Sequence, residues 1–171
     1  MRRLWAGETV NHDRFWGLNN ARIAPLPAQD IEVWIGATAP AAINRTARLA
    51  EGWLGTPSST PQQAKEQLNQ YRQACAEHQR KPSAVALRRD IFIGASVREA
   101  EEFRSHAVAK GYRGFPERAL ICGDISQVAT QFAELFEAGF TDIIVRNMAS
   151  DQGQALATIE ALSDVKRQLR L

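Results

Sequence analysis

The segment 32–58 constrains the fold of this chain more than any other stretch, because its pattern changes from strand to helix and back to strand. An apolar Val-Trp-Ile run, ended by Gly36, is typical of a strand that is buried on both faces. The apolar residues that follow recur at helical spacing until Gly52, where Trp53 and Leu54 begin a second short strand. A strand, a helix and a second strand in succession form a βαβ unit, so we predict that the two strands are parallel.

A small loop with hydroxyl side chains follows each of these strands, Gly36-Ala37-Thr38 after the first and Gly55-Thr56-Pro57-Ser58 after the second. We predict that Thr38 caps the first helix, and each loop leads into a helix whose N-terminus carries partial positive charge. Loops and helix N-termini of this kind bind phosphate. One interpretation of these loops is a phosphate cradle, whose residues are Gly36, Ala37, Thr38, Gly55, Thr56 and Ser58. Ordinary helix capping is the alternative, since it explains Thr38 and Thr60 without a ligand.

The composition is typical of a globular cytoplasmic domain. With 44% hydrophobic and 23% charged residues, the chain can bury a real core. No apolar run approaches the length of a membrane span, and no apolar segment of a secretory signal follows Arg2 and Arg3, so we expect a cytoplasmic protein without membrane contact. The 21 basic and 19 acidic residues are well mixed, which argues against a nucleic-acid partner. Cys75 and Cys122 are far apart, so we expect buried free thiols and no metal site.

The rest of the chain divides into an irregular N-terminal segment, residues 1–30, and four βα units over residues 31–171. The first segment is rich in Asn, Gly and Pro, which is typical of a long loop, with a short extended piece near residues 15–18. Strands are predicted near residues 31–36, 52–56, 86–94 and 141–146. Capping signals predict helices after Thr60, Ser96, Asp124 and either Ser150 or Asp151. The segment 112–123 is expected to be irregular.

Charged and polar residues of the third and fourth strands are further candidates. Arg88, Arg89 and Asp90 are interpreted as solvated residues at the entrance of the third strand, and pairing with other charges at the bottom of a barrel is the alternative. Arg146 and Asn147, at the end of the fourth strand, are the best candidates to contact a substrate or cofactor, although charges commonly cap strand ends. The sequence identifies no catalytic acid, base or nucleophile.

Alternating strands and helices predict a parallel α/β architecture, either an open doubly wound sheet or part of a (β/α)8 barrel. No Gly-x-Gly-x-x-Gly motif follows a strand, which disfavours a dinucleotide-binding fold. Three segments carry a more specific signal: Ala-Arg-Leu-Ala-Glu-Gly-Trp at 47–53, Arg-Arg-Asp-Ile-Phe-Ile-Gly at 88–94, and Ala-Gly-Phe-Thr-Asp-Ile-Ile-Val at 138–145. They resemble the C-terminal half of the bacterial luciferase-like flavin monooxygenase superfamily, whose members usually have Asp at the position of Glu51.

The resemblance implies both a fold and a function. Members of the superfamily are (β/α)8 barrels that bind FMN or the deazaflavin coenzyme F420 and catalyse hydride transfer or oxygen-dependent oxidation of small organic substrates. The four strands would then form a parallel half barrel equivalent to strands five to eight, with the cradle residues and Asn147 at the flavin. The chain is expected to be a luciferase-like oxidoreductase, truncated to half of the barrel, or the inactive product of a shortened gene. A non-catalytic phosphate-binding, flavin-binding or assembly module derived from that fold is the alternative.

A half barrel would leave two sheet edges and its inner wall uncovered. We therefore expect the chain to form homo-oligomers or to pair with a separate N-terminal half. The residues predicted on the uncovered wall are Val33, Ile35, Leu54, Phe92 and Ile144.

Overall fold

The computed structural model describes residues 1–169 and divides into two compact units, Met1–Val33 and a larger unit that begins at Trp34. The first unit contains a short helix and an antiparallel hairpin: α1 (Arg2–Trp5), β1 (Val10–His12) and β2 (Leu18–Ala21). The hairpin replaces the long loop predicted here, because its two strands pair with each other and the Asn20 amide donates to Asn11 Oδ1 at 2.7 Å. Phe15 and Trp16 at its tip are exposed.

The larger unit alternates strands with helices. Its elements are β3 (Trp34–Gly36), α2 (Pro40–Leu49), β4 (Gly52–Gly55), α3 (Pro61–Glu77), β5 (Ala84–Ile93), α4 (Val97–Ala109), β6 (Leu120–Gly123), α5 (Ile125–Ala138), β7 (Asp142–Asn147) and α6 (Gln152–Gln168). Two 3₁₀ turns, Tyr112–Gly114 and Glu117–Ala119, separate α4 from β6. Every strand pair within this unit is parallel, which confirms the predicted parallel α/β architecture. None of the helices within residues 1–169 is both long and apolar enough to cross a membrane.

The strand β5 organises the sheet. It pairs with β7 over residues 86–91, with β4 over residues 84–87 and with β6 over residues 90–93. Because β7 shares paired positions with both β4 and β6, those two strands follow one another along the opposite edge of β5. The sequence predicted the segment of β6 to be irregular, and this was wrong, since Leu120–Gly123 is a buried strand. The strand was not predicted because only four apolar or small residues indicate it, and they follow two irregular turns.

The main core lies on one face of the sheet, under α2, α3, α5 and α6. Trp53 at its centre has no exposed surface, and its ring lies 5.4 Å from Tyr71 and 6.2 Å from Phe140. A buried tryptophan removes roughly 200 Å² from water, which stabilises the fold by about 5 kcal/mol. By register Ile35 is paired with Trp53 and lies on this helix-covered face, so its predicted place on an uncovered wall was wrong.

The strand residues that alternate with these core residues form the second face of the sheet. Its members include Leu54, Ala86, Arg88, Asp90, Phe92, Ile144 and Arg146. The prediction that Phe92 is uncovered was also wrong, because α4 covers this part of the face: Phe92 is buried and stacks on Phe103 with ring centroids 3.9 Å apart. Leu54 is half-buried, whereas Ile144 remains 40% exposed. Val33 belongs to the N-terminal unit.

Candidate functional site

The loops after β3 and β4 meet at one cavity. Thr38, Thr56 and Ser58 line this space of about 420 Å³, which we call the Thr56 cavity. Its other lining residues come mainly from α3 and are Pro40, Ser59, Gln63, Glu66, Gln67, Gln70 and Pro116. The parallel register of β3 and β4 brings the loops together, because it places the ends of the two strands at the same edge of the sheet. Three of the predicted cradle residues therefore lie at a common site.

Two hydroxyl groups in this cavity are hydrogen-bonded to each other. Thr56 Oγ1 and Ser58 Oγ lie 3.0 Å apart, and the Ser58 amide donates to Thr56 Oγ1 at 3.5 Å. Each hydroxyl carries one donor and two acceptor lone pairs, so the bond between the two oxygens uses only one of their two protons. The second proton is available to an anion.

The helix α2 begins at this cavity without a side-chain cap. Thr38 was predicted to be its N-cap, and this was wrong by one residue, because α2 starts at Pro40 and its N-cap is Ala39. By contrast, the N-terminus of α3 is closed by a complete capping box between Thr60 and Gln63. Pro40 has no N–H and the Ala42 amide donates to Ala39 O at 2.9 Å, so the N-terminus of α2 offers an anion the Ala41 amide and its partial positive charge.

The other predicted cradle residues pack the loops against the sheet. The Ala37 amide donates to Leu54 O at 3.4 Å, and Ala37 O accepts from Trp53 Nε1 at 2.9 Å, so both backbone groups are engaged. A Cβ atom at Gly55 would lie 2.7 Å from Leu87 Cδ1, which explains the glycine by packing. At Gly36 a Cβ atom would have room, 3.8 Å from the closest atom, and the φ angle is not positive. None of these three residues lines the Thr56 cavity.

Asn147 lies apart from the Thr56 cavity and has a structural role. Its Nδ2 donates to Ala155 O and its Oδ1 accepts from the Ala149 amide, both at 2.9 Å. These bonds fix the connection between β7 and α6. Both polar groups of the Asn147 side chain are therefore occupied within the chain, and the structure does not bring Asn147 to the cradle.

Arg89 positions the loop that carries Thr56 and Ser58. Its guanidinium is 1% exposed and donates through Nη1 to Ser59 O at 2.9 Å and to Pro57 O at 3.5 Å. Burial lowers the pKa of Arg89 to about 10. The prediction of a solvated strand entrance was wrong here, because β5 begins at Ala84 and Arg89 lies in its buried middle. The apolar residues on either side in β5 indicated that Arg89 could be buried, but nothing in the sequence identified Pro57 O and Ser59 O as its partners.

Asp90 forms a second charged centre, on the second face. Its carboxylate has no exposed surface, and three arginines surround it: Arg113 at 3.3 Å, Arg146 at 3.8 Å and Arg88 at 3.9 Å. We call these four residues the Asp90 cluster. Of the two candidates at the end of β7, Arg146 therefore belongs to this charged cluster, whereas Asn147 does not. Sequence reasoning missed Arg113, because only the turn after α4 brings it to β5.

The comparison with protein families identifies the chain. The model of the family described as luciferase-like monooxygenase matches residues 1–121. The chain belongs to the luciferase-like monooxygenase family. This confirms the resemblance that the sequence segments indicated.

Curated and solved members of the luciferase-like family include enzymes with two kinds of cofactor. An F420-dependent glucose-6-phosphate dehydrogenase of Microbacterium testaceum is 36% identical over 66 residues, which cover 38% of this chain and 20% of that protein. An F420-dependent secondary alcohol dehydrogenase bound to an F420-acetone adduct superposes with a TM-score of 0.71 at 14% identity, over 99% of this chain and 59% of that one. The oxygenating constituent of 3,6-diketocamphane monooxygenase from Pseudomonas putida, in complex with FMN, superposes with a TM-score of 0.67 at 16% identity, over 94% and 58%.

The luciferase-like chain described here is shorter than these relatives. It spans about a fifth of the length of the curated dehydrogenase and less than two thirds of each solved structure. The structural similarities establish the fold, and the Thr56 cavity and the Asp90 cluster are the two sites on which a function can be argued.

Proposed function

We propose that this chain binds a flavin-type cofactor, FMN or coenzyme F420, and takes part in the oxidation or reduction of a small organic substrate. The Thr56 cavity carries the proposal, because it combines two hydroxyl groups with the uncapped N-terminus of α2. A phosphate group fits such a site, since it accepts hydrogen bonds and is attracted by the helix dipole. The F420-dependent and FMN-bound relatives support this class of cofactor.

Thr38, Thr56, Ser58 and the first turn of α2 would hold the cofactor's phosphate. Arg89 fixes the loop that carries the two hydroxyls, and Trp53 fixes the loop after β3 through its bond to Ala37 O. Both anchors are buried, so the site is organised before a ligand arrives, which lowers the entropic cost of binding. The bound cofactor supplies hydride transfer in the case of F420 or oxygen-dependent oxidation in the case of FMN.

We also propose that β3, β4, β5 and β7 are equivalent to the fifth to eighth strands of a (β/α)8 barrel. A separate N-terminal half or a second copy of the chain would then cover the second face and complete the substrate pocket. The partial coverage of the solved relatives and the exposure of Ile144 on that face support this proposal. A matching N-terminal half should accordingly strengthen cofactor binding and restore turnover.

Titration of FMN and F420 into the chain, alone and with a matching N-terminal half, tests the proposed function. We expect the double variant Thr56→Val, Ser58→Ala to bind about tenfold more weakly or worse, because charge-assisted hydrogen bonds contribute roughly 1.5–3 kcal/mol. Ser105→Ala, at an exposed position on α4, serves as the control. Equal affinities in all three proteins would place the phosphate elsewhere. Cofactor binding without turnover in the reconstituted protein would favour the non-catalytic binding module.

A second pair of variants uses the carboxylates of α3. Glu66 lines the Thr56 cavity and accepts from Gln62 Nε2 at 2.8 Å, whereas Glu77 accepts from Gln73 Nε2 at 3.0 Å at the far end of the helix. Glu66→Gln removes a negative charge near the phosphate, worth about 1 kcal/mol in a solvated site, so the affinity should rise about fivefold. Glu77→Gln is the matched control and should leave it unchanged.

A further inference from the structure

The Asp90 cluster holds more positive than negative charge. Arg88, Arg113 and Arg146 converge on the single carboxylate of Asp90, which leaves an excess of two positive charges within the cluster. The arginine side chains are 35%, 43% and 45% exposed, whereas Asp90 is completely buried beneath them. A carboxylate in this position aligns the guanidinium groups and neutralises only one of them.

The arginines retain most of their hydrogen-bonding capacity. Only the contact from Arg113 Nη1 to Asp90 Oδ2, at 3.3 Å, is short enough for a hydrogen bond, and the contacts of Arg146 and Arg88 are 3.8 and 3.9 Å long. A guanidinium has five N–H donors arranged in a planar fork that matches carboxylate and phosphate oxygens. Three such forks around one carboxylate therefore leave many donors for an additional oxyanion.

The turn after α4 holds Arg113 at this place in a conformation that is unusual for residues other than glycine. Four consecutive residues, from Gly111 to Gly114, have positive φ angles, including 32° at Tyr112 and 56° at Arg113. The guanidinium of Arg113 also lies over the ring of Phe115, at 4.7 Å. Strain of this kind persists only where the surrounding contacts enforce it, and it commonly accompanies ligand sites.

Buried polar atoms without hydrogen-bond partners lie next to the cluster. Tyr112 is 4% exposed, and its hydroxyl interacts with Asp90 but lacks a partner with the full geometry of a hydrogen bond. Asp90 Oδ1 is likewise buried without a hydrogen-bond partner. Leaving such groups unsatisfied costs free energy, and an oxyanion bound beside the three partly exposed arginines would accept a hydrogen bond from the Tyr112 hydroxyl. Asp90 Oδ1 is an acceptor, so the arginine N–H groups and not the anion are its partners.

We propose that the Asp90 cluster is an oxyanion-binding site, which receives a phosphate or carboxylate group through Arg113 and Arg146, with Arg88 and the Tyr112 hydroxyl beside it. The site lies on the second face and is formed by residues other than those of the Thr56 cavity. An anionic substrate is its ligand in the proposed enzyme. That assignment rests on the proposed function, whereas the binding of an oxyanion does not.

Titration of the full chain with inorganic phosphate and, separately, with sodium acetate tests this site at low ionic strength. Isothermal calorimetry on the Thr56→Val, Ser58→Ala background isolates the Asp90 cluster from the Thr56 cavity. Arg113→Gln and Arg146→Gln should each lower the association constant tenfold or more, because each removes a charged donor fork. Arg118→Gln, in the next turn of the chain, removes an exposed arginine outside the cluster and should change it less than twofold. Tighter binding of phosphate than of acetate would identify a phosphorylated ligand, and the reverse order a carboxylate.

Conservative variants separate binding from folding. Arg113→Lys and Arg146→Lys keep the charge but lose the planar fork, so they should retain part of the affinity and the thermal stability of the parent protein. An absence of binding by the parent protein to either anion, or equal binding by both glutamine variants, would overturn the proposal. Titration of FMN and F420 tests the proposed function separately. The cofactor affinity should change with the substitutions of Thr56 and Ser58 and should not change with Arg118→Gln.

Discussion

At the scale of single residues, two buried side chains determine the geometry of the Thr56 cavity. The Trp53 indole binds Ala37 O in the loop after β3, and the Arg89 guanidinium binds Ser59 O in the loop after β4. Both side chains lie on the helix-covered face, so the core that stabilises the fold also positions the loops. Each of these two hydrogen bonds joins a side chain to a backbone carbonyl that is distant from it in the sequence.

Two tyrosines predict an alkaline dependence of stability. Burial, reinforced by Asp90, raises the pKa of Tyr112 to about 12, and burial also raises the pKa of Tyr71. In the unfolded chain both ionise near pH 10, so their contribution to stability is complete below about pH 10 and is lost as the pH rises towards 12. We expect the folded protein to lack tyrosinate absorbance at pH 10.5.

Single Tyr112→Phe and Tyr71→Phe variants assign the effect, because the chain has no other tyrosine. Each variant should lose less stability between pH 9 and pH 11 than the parent protein, as measured by urea unfolding. Tyrosinate absorbance at half of its full value near pH 10 in the folded protein would contradict the assignment.

At the scale of elements, the helices differ in how their N-termini are closed. Side chains cap α3, α4, α5 and α6, whereas α2 begins with Ala39 and Pro40 and has no side-chain cap. Within the larger unit, the α-helix without a side-chain cap is the one that begins at the Thr56 cavity. The start of α2 therefore lacks the stabilisation of a side-chain cap, and a ligand bound there would supply a hydrogen bond in its place.

The variant Ala39→Ser tests this difference. The extended backbone of Ala39 suits a cap, so the serine should stabilise the protein by about 0.5–2 kcal/mol. Because its oxygen would compete with a phosphate for the Ala41 amide at the start of α2, FMN and F420 should bind more weakly. Asp124→Ala is the control, since it removes a cap from α5 and should lower stability with no change in cofactor affinity. Stabilisation with unchanged affinity would separate the α2 N-terminus from the cofactor.

Local signals allowed much of the fold to be predicted. The capping residues Thr60, Ser96 and Asp124 located the starts of helices correctly, because a cap depends on residues that are close in sequence. The strand β6 was missed because its apolar run is short. Of the Asp90 cluster, Arg88, Asp90 and Arg146 were candidates from the sequence, but their convergence with Arg113 was not predicted. That convergence depends on the register of β5 with β7 and on a turn with positive φ angles, neither of which a local pattern reveals.

At the scale of the whole molecule, the second face retains an apolar area that the helices do not cover. Ile144 is 40% exposed, and Leu54 on the same face is half-buried. Exposed apolar area of this kind drives association with another copy or another chain. The variant Ile144→Ser should therefore lower the association constant of the chain, as measured by analytical ultracentrifugation.

Ile159→Ser is the matched control for Ile144→Ser. Ile159 is 56% exposed and belongs to α6, on the opposite side of the sheet. Its substitution should leave the association unchanged. A parent protein that is a monomer at all concentrations and binds no hydrophobic dye would show that this face needs no partner.

The central place of β5 has a consequence for the motions of the chain. Its residues 86–91 pair with β7, and the other edge of the strand pairs with β4 and β6, so its amides exchange with solvent only when most of the sheet opens. At the end of the sheet, β3 pairs with β4 over three positions and can separate at a smaller cost. The amides of β3 should thus exchange with solvent faster than those of β5, while Asp90 stays fixed in the slowest part of the molecule.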